Sequence, residues 1–105
     1  MSNAPIILFC YNRIDHLKKT ITSLKKNKLS KYSDLIIFSD GPKNLKENPK
    51  VIKIRNYLKK LKGFKSVKIY NKKENKGLAL SIISGLNLIF KKYSSAIILE
   101  DDLIV

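Results

Sequence analysis

Apolar and polar positions divide this chain into seven alternating blocks. Pro5-Ile6-Ile7-Leu8-Phe9-Cys10, Leu35-Ile36-Ile37-Phe38 and Ala96-Ile97-Ile98-Leu99 are short and apolar without a break. Unbroken runs of that length suit strands covered on both faces, as in a parallel sheet. Val67-Lys68-Ile69-Tyr70 alternates instead, which predicts a strand nearer an edge. Between these runs the apolar spacing changes to three and four. Ile14, Leu17, Ile21 and Leu24 predict a helix through about Lys26. Val51, Ile54, Tyr57, Leu58 and Leu61 predict a second helix, opened by Pro49 and stopped by Gly63. Leu78, Ile82, Leu86, Ile89 and Phe90 predict a third, starting after Gly77 and ending near Lys92. Ala79, Leu80 and Ile83 widen its apolar face, so this helix is expected to be the most buried.

Strands alternating with helices over short connections argue an α/β fold. The expectation is a three-layer α/β/α domain on a mostly parallel, Rossmann-like sheet with right-handed crossovers. Strand order 3-2-1-4 is expected, with its switch point between the first and fourth strands. Ligands of such sheets bind at the carboxyl ends of the strands. That edge would gather Tyr11-Asn12-Arg13, Asp40 and Glu100-Asp101-Asp102. Asn12 is placed to cap the first helix, with Asp15 three residues on. Ser39-Asp40-Gly41-Pro42 is turn chemistry, Lys43 to Asn48 a polar loop, and Asn71 to Lys76 a charged loop.

Composition bounds the partners. The chain has 105 residues, 44% of them hydrophobic, which is enough for one small domain. Its formal net charge is +14, and only Arg13 and Arg55 among the 22 basic residues are arginine. Such charge fits nucleic acid, an anionic membrane surface or a phosphorylated ligand. The lysines are scattered along every polar face, which also fits simple solvation of exposed helices. No apolar run approaches the roughly 20 residues of a membrane span. Met1-Ser2-Asn3-Ala4 is too short and polar for a signal peptide. Cys10 has no disulfide partner and suits a reducing compartment, so a cytoplasmic location is expected.

Candidate chemistry begins with Glu100-Asp101-Asp102. Three adjacent carboxylates repel one another and call for a cation, and a hard divalent metal with oxygen ligands is the natural one. The plainer alternative is an acidic strand end meeting solvent. Asp40 either accepts a hydrogen bond from a base N–H or forms a turn before Gly41-Pro42. Arg13 stands where composition favours lysine, which hints at planar, bidentate or stacking geometry; otherwise it is a surface residue at a helix start. Arg55 has no such context and reads as surface. Gly77 either opens a loop toward a nucleotide or lets a helix start close to the sheet, or else is a simple turn glycine, and Tyr11 either stacks on a base or caps its strand. No phosphate-cradling Gly-x-x-x-x-Gly-Lys or Gly-x-Gly-x-x-Gly occurs. His16 lacks a partner at metal-ligand spacing and reads as an exposed helix residue; Cys10 reads as core.

Pro5 to Arg13, Ser39-Asp40-Gly41, Asn75-Lys76-Gly77 and Leu99-Glu100-Asp101-Asp102-Leu103 together resemble the nucleotide-sugar-binding half of GT-A-type glycosyltransferases. The spacing is similar to glycosyltransferase family 2. The Glu-Asp-Asp-Leu run is more similar to N-acetylglucosaminyltransferase I-like enzymes. The resemblance covers residues 5 to 105. It implies transfer of a sugar from a nucleoside diphosphate sugar, with a UDP-sugar the expected donor, to a hydroxyl of a saccharide or lipid-linked acceptor. It implies Mn²⁺ or Mg²⁺ on Asp102, the ribose on Asp101, and Glu100 supporting the nucleotide end. Arg13 would lie against the nucleotide and Asp40 would accept from the base, with Tyr11, Asn12 and Gly77 completing the donor site. Ile82-Ile83-Ser84 departs from the Ala-Arg-Asn of many family 2 enzymes, removing one donor contact. The catalytic base of inverting members lies beyond the metal motif, so it is expected beyond residue 105. The chain therefore reads as a single domain, the amino-terminal nucleotide-sugar-binding part of a larger catalytic domain.

Two other readings compete. A non-catalytic basic α/β module binding nucleic acid or polyphosphate would use the net charge and leave the acids incidental. It lacks aromatics interleaved with lysines on any one stretch. A receiver-like phosphoryl-transfer domain needs acids at the first strand's tip, where this chain has Tyr11-Asn12-Arg13. Excess lysine would also suit peripheral contact with an anionic membrane where envelope acceptors sit.

Overall fold

A computed structural model describes residues 4–27, 30–93 and 95–100. Strands β1 (Ile6–Cys10), β2 (Asp34–Ser39), β3 (Ser66–Asn71) and β4 (Ile97–Glu100) alternate with helices α1 (Ile14–Lys26), α2 (Asn48–Leu58) and α3 (Leu78–Ile89). All strand pairs are parallel, in the order β3-β2-β1-β4. The register aligns Cys10 with Ser39 and Ser39 with Asn71, while Phe9 lies beside Glu100. All four strand tips therefore lie along one edge of the sheet, with the switch point between β1 and β4.

Successive residues of a strand face opposite sides, and this splits the core in two. Leu8 and Ile37 share one face with Leu17 and Ile21 of α1 and Ile54 and Leu58 of α2. Ile7, Phe9, Ile36 and Phe38 share the other with Ile89 of α3. Each fully buried aliphatic side chain is worth about 1.5–3 kcal/mol relative to exposure. The sheet is thus the middle of three layers. On the α3 side, Phe9, Phe38 and Tyr70 stand in register on β1, β2 and β3. Their rings stack at centroid separations of 5.2 and 5.0 Å.

Three expectations from periodicity are corrected. Asn12 does not cap α1: the N-cap position is Arg13, without a side-chain capping bond, because the Asn12 amide is turned toward Glu47. Helix α2 ends at Leu58 and not at Leu61. Lys60 and Leu61 bond back three residues, to Tyr57 and Leu58, in a tightening turn that lets Leu61 pack on the core before Gly63 takes its positive φ of 97°.

The third correction concerns α3, which is not the most buried helix. Leu80, Ile83 and Phe90 are 61%, 57% and 50% exposed, and Ala79 is exposed as well. Gly85 explains which face turns inward. A Cβ there would meet the Phe9 ring at 3.0 Å and the Phe38 ring at 3.1 Å. The helix rests closely on the aromatic stack at its one position without a side chain. That seats Ile82, Leu88 and Ile89 against the sheet and leaves the 80-83-90 stripe outside.

Candidate functional site at the carboxyl edge

The carboxyl ends of the four strands lie on one edge, and the loops after β1, β2 and β3 are bound to one another. The β1 tip is tied to the loop after β2. Asn12 Nδ2 donates to Glu47 Oε2 at 3.0 Å, and the Tyr11 hydroxyl accepts from the Lys43 amide at 3.0 Å. Glu47 belongs to a short 3-10 turn, Leu45–Glu47, capped by the Asn44 side chain. This turn lies inside the stretch expected to be plain loop. Arg13 is exposed.

Asp40 is the centre of the β2 tip. It is 7% exposed, and both of its carboxylate oxygens face donors of the protein. Oδ1 accepts from the amides of Gly41 and Lys76, each at 2.9 Å. Oδ2 accepts from the Gly77 amide at 3.0 Å and from Asn75 Nδ2 at 3.2 Å. A carboxylate offers about four lone-pair sites, so these four donors fill it. Within the fold Asp40 gathers the 75–77 loop onto the β2 tip. Asn75 Nδ2 completes the grip by donating to Gly41 O at 2.9 Å.

Two glycines make this approach possible. A Cβ on Gly41 would sit 2.6 Å from the Glu74 carbonyl carbon and 2.7 Å from Lys73 O, both backbone atoms that cannot step aside. Gly77 has φ 79° and ψ 161°, a conformation that side chains strongly disfavour. It turns its amide to Asp40 and opens α3 at Leu78. Gly77 thus stands at the start of α3, and its turn also serves Asp40.

Arg55, expected at the surface, is instead half-buried and bonded. From the last turn of α2 it reaches back to the β2 tip. Its Nε donates to Ser39 Oγ at 3.2 Å. Its Nη2 points among three carbonyl oxygens: Ser39 at 3.3 Å, Asp40 at 3.3 Å and Lys72 at 2.6 Å. The planar guanidinium thus joins the ends of β2 and β3, while the Asp40 carboxylate joins the loops that follow them. A signal for Arg55 existed. It is one of two arginines in a lysine-rich chain, the same argument that drew attention to Arg13.

The fourth tip is the end of β4. Glu100 is the last described residue and its backbone pairs beside Phe9. Asp101 and Asp102, the expected ribose and metal contacts, lie outside the described residues. Among the described residues no three His, Cys, Asp or Glu side chains cluster as a metal site requires. Cys10 is buried and His16 exposed, as expected. Among the described residues no helix is long and apolar enough to cross a membrane. Comparison with family models, curated proteins and solved structures finds no match to this chain.

Proposed function

We propose that this chain supplies the donor-binding segment of a metal-dependent glycosyltransferase of the GT-A type, acting on a nucleoside diphosphate sugar, with UDP the expected nucleotide. The observation that carries the reading is the switch point. In a parallel sheet of order 3-2-1-4, the crevice between β1 and β4 is the expected ligand position. Tyr11-Asn12-Arg13 follow β1 directly, and β4 on the other side of that crevice ends at Glu100, which Asp101-Asp102 follow in sequence.

In this proposal Arg13, exposed beside the crevice, lies against the nucleotide. Asp101 meets the ribose, with Glu100 at the nucleotide end. Asp102 holds Mn²⁺ or Mg²⁺, for which a carboxylate is a chemically suitable hard oxygen ligand. The bound metal would neutralise charge on the departing diphosphate. Asp40, with its lone pairs occupied, acts through the loop it holds, and Arg55 supports the same tip. Both are positioning residues.

Calorimetric titration with UDP, GDP and CDP, each with and without Mn²⁺, tests the proposal. The expected result is UDP-selective binding that needs Mn²⁺ and disappears in Asp102→Ala. Binding indifferent to both base and metal, or unaltered in Asp102→Ala, overturns it.

A further inference from the structure

We propose that the opposite, amino-terminal edge of the sheet is a docking face for an anionic lipid bilayer. In a parallel α/β sheet every crossover helix runs back to the edge where the strands begin, so the carboxyl ends of α1, α2 and α3 collect there. Lys25, Lys26 and Lys31, with Asn27, Ser30, Tyr32 and Gly63, line an open cleft of about 650 Å³ at that edge. The turns following α2 and α3 add exposed lysines at positions 59, 60, 62, 91 and 92.

Acids are distributed the other way. Asp40, Glu47 and Glu74 lie in or beside the strand-tip loops, Glu100 ends β4, and Asp15 opens α1 from the same side. Among the described residues only Asp34 begins a strand at the basic edge, and it accepts a hydrogen bond from Ser66 Oγ at 2.6 Å. A lysine or two in a last helical turn answers the helix dipole. It does not account for Lys31 or for the lysines beyond the helix ends.

The cleft also carries an aromatic. Tyr32 is 57% exposed, and Lys31 Nζ lies 5.2 Å from the centre of its ring. A tyrosine sharing a cleft with three lysines suits a bilayer interface: the ring sits at headgroup level and the ammonium groups reach the phosphates. All the cations here are lysines. They are point charges without arginine's planar fork, which fits a diffuse array of headgroup phosphates better than one oriented phosphate or a base edge. The inference is independent of the donor-site proposal, since it uses neither Asp102 nor a nucleotide.

Flotation with vesicles of pure phosphatidylcholine and of a phosphatidylcholine–phosphatidylglycerol mixture tests it. The expected result is salt-sensitive binding to the mixture alone. Lys25→Gln/Lys26→Gln/Lys31→Gln should weaken it on the order of 100-fold. The charge-matched Lys43→Gln/Lys46→Gln/Lys73→Gln, at the other edge, should change it less than about threefold. Tyr32→Ser, with every lysine retained, should weaken it several-fold. All the replaced side chains are exposed, and circular dichroism checks that each variant is folded. Equal losses in the two triple variants, binding to pure phosphatidylcholine, or no flotation overturns the proposal. Tighter binding to a single-stranded RNA oligonucleotide, lost in the cleft triple, would assign the face to nucleic acid and overturn it equally.

Discussion

Arg55 Nη2 donates to the carbonyl oxygen of Lys72 at 2.6 Å, from helix α2 to the residue that follows β3. The same side chain binds Ser39 on β2. One guanidinium thus joins two neighbouring strands where their ladder ends. A hydrogen bond from a charged donor contributes about 1.5–3 kcal/mol net. Arg55→Ala should therefore destabilise the fold by about 2–3 kcal/mol in urea unfolding. Arg55→Lys should recover less than half, because an ammonium cannot span the same acceptors. Full stability of Arg55→Ala would remove the bracing role.

Asp40→Asn keeps the shape and replaces one acceptor oxygen with a donor. Either orientation of the amide turns an N–H toward donors, Gly77 and Asn75 or Gly41 and Lys76. We expect a loss of about 1–3 kcal/mol and faster hydrogen exchange at the Lys76 and Gly77 amides, with α1 amides changed only as global stability changes. Unaltered protection at positions 76 and 77 would contradict the loop-holding role.

The two glycines of the site should respond differently to alanine. Gly77→Ala meets no atom within 4 Å and suffers from its φ of 79°, a conformational cost of about 1–3 kcal/mol. Gly41→Ala collides with the backbone of Glu74 at 2.6 Å and must displace the loop. It should cost more than Gly77→Ala and also loosen the amides held by Asp40. Thermal unfolding gives the ranking, and the reverse order would contradict the close approach of the two loops.

On α3, exposure predicts tolerance. Leu80→Gln and Ile83→Gln should each change stability by no more than about 0.5 kcal/mol, since both side chains are more than half exposed. Ile89→Ala, at 2% exposure, should cost about 2–5 kcal/mol. Denaturant midpoints compared across the three variants decide it. A large loss at Ile83 would mean the helix is rotated from the orientation that Gly85 imposes.

The order of elements, the parallel sheet and the edge position of β3 could be read from residue patterns because each follows from a local rule. A strand buried on both faces must be apolar throughout, an edge strand may alternate, and a helix on a sheet repeats every three or four residues. The loops' meeting at one edge then follows from connectivity alone. The orientation of α3 was legible only in part. Its spacing named Ile82 and Ile89, which do pack on the sheet, but Leu80, Ile83 and Phe90 stay exposed, because the helix closes on Phe9 and Phe38 at Gly85, its position without a side chain. The roles of Asp40 and Arg55 were hidden for a related reason. Their partners lie 35 to 37 and 15 to 17 residues away, apart from Gly41, which follows Asp40 directly. Whether a carboxylate's lone pairs are filled, or a guanidinium finds carbonyls to bind, depends on which backbone groups packing brings within about 3 Å. No spacing along the chain encodes that distance; the closure of the sheet sets it.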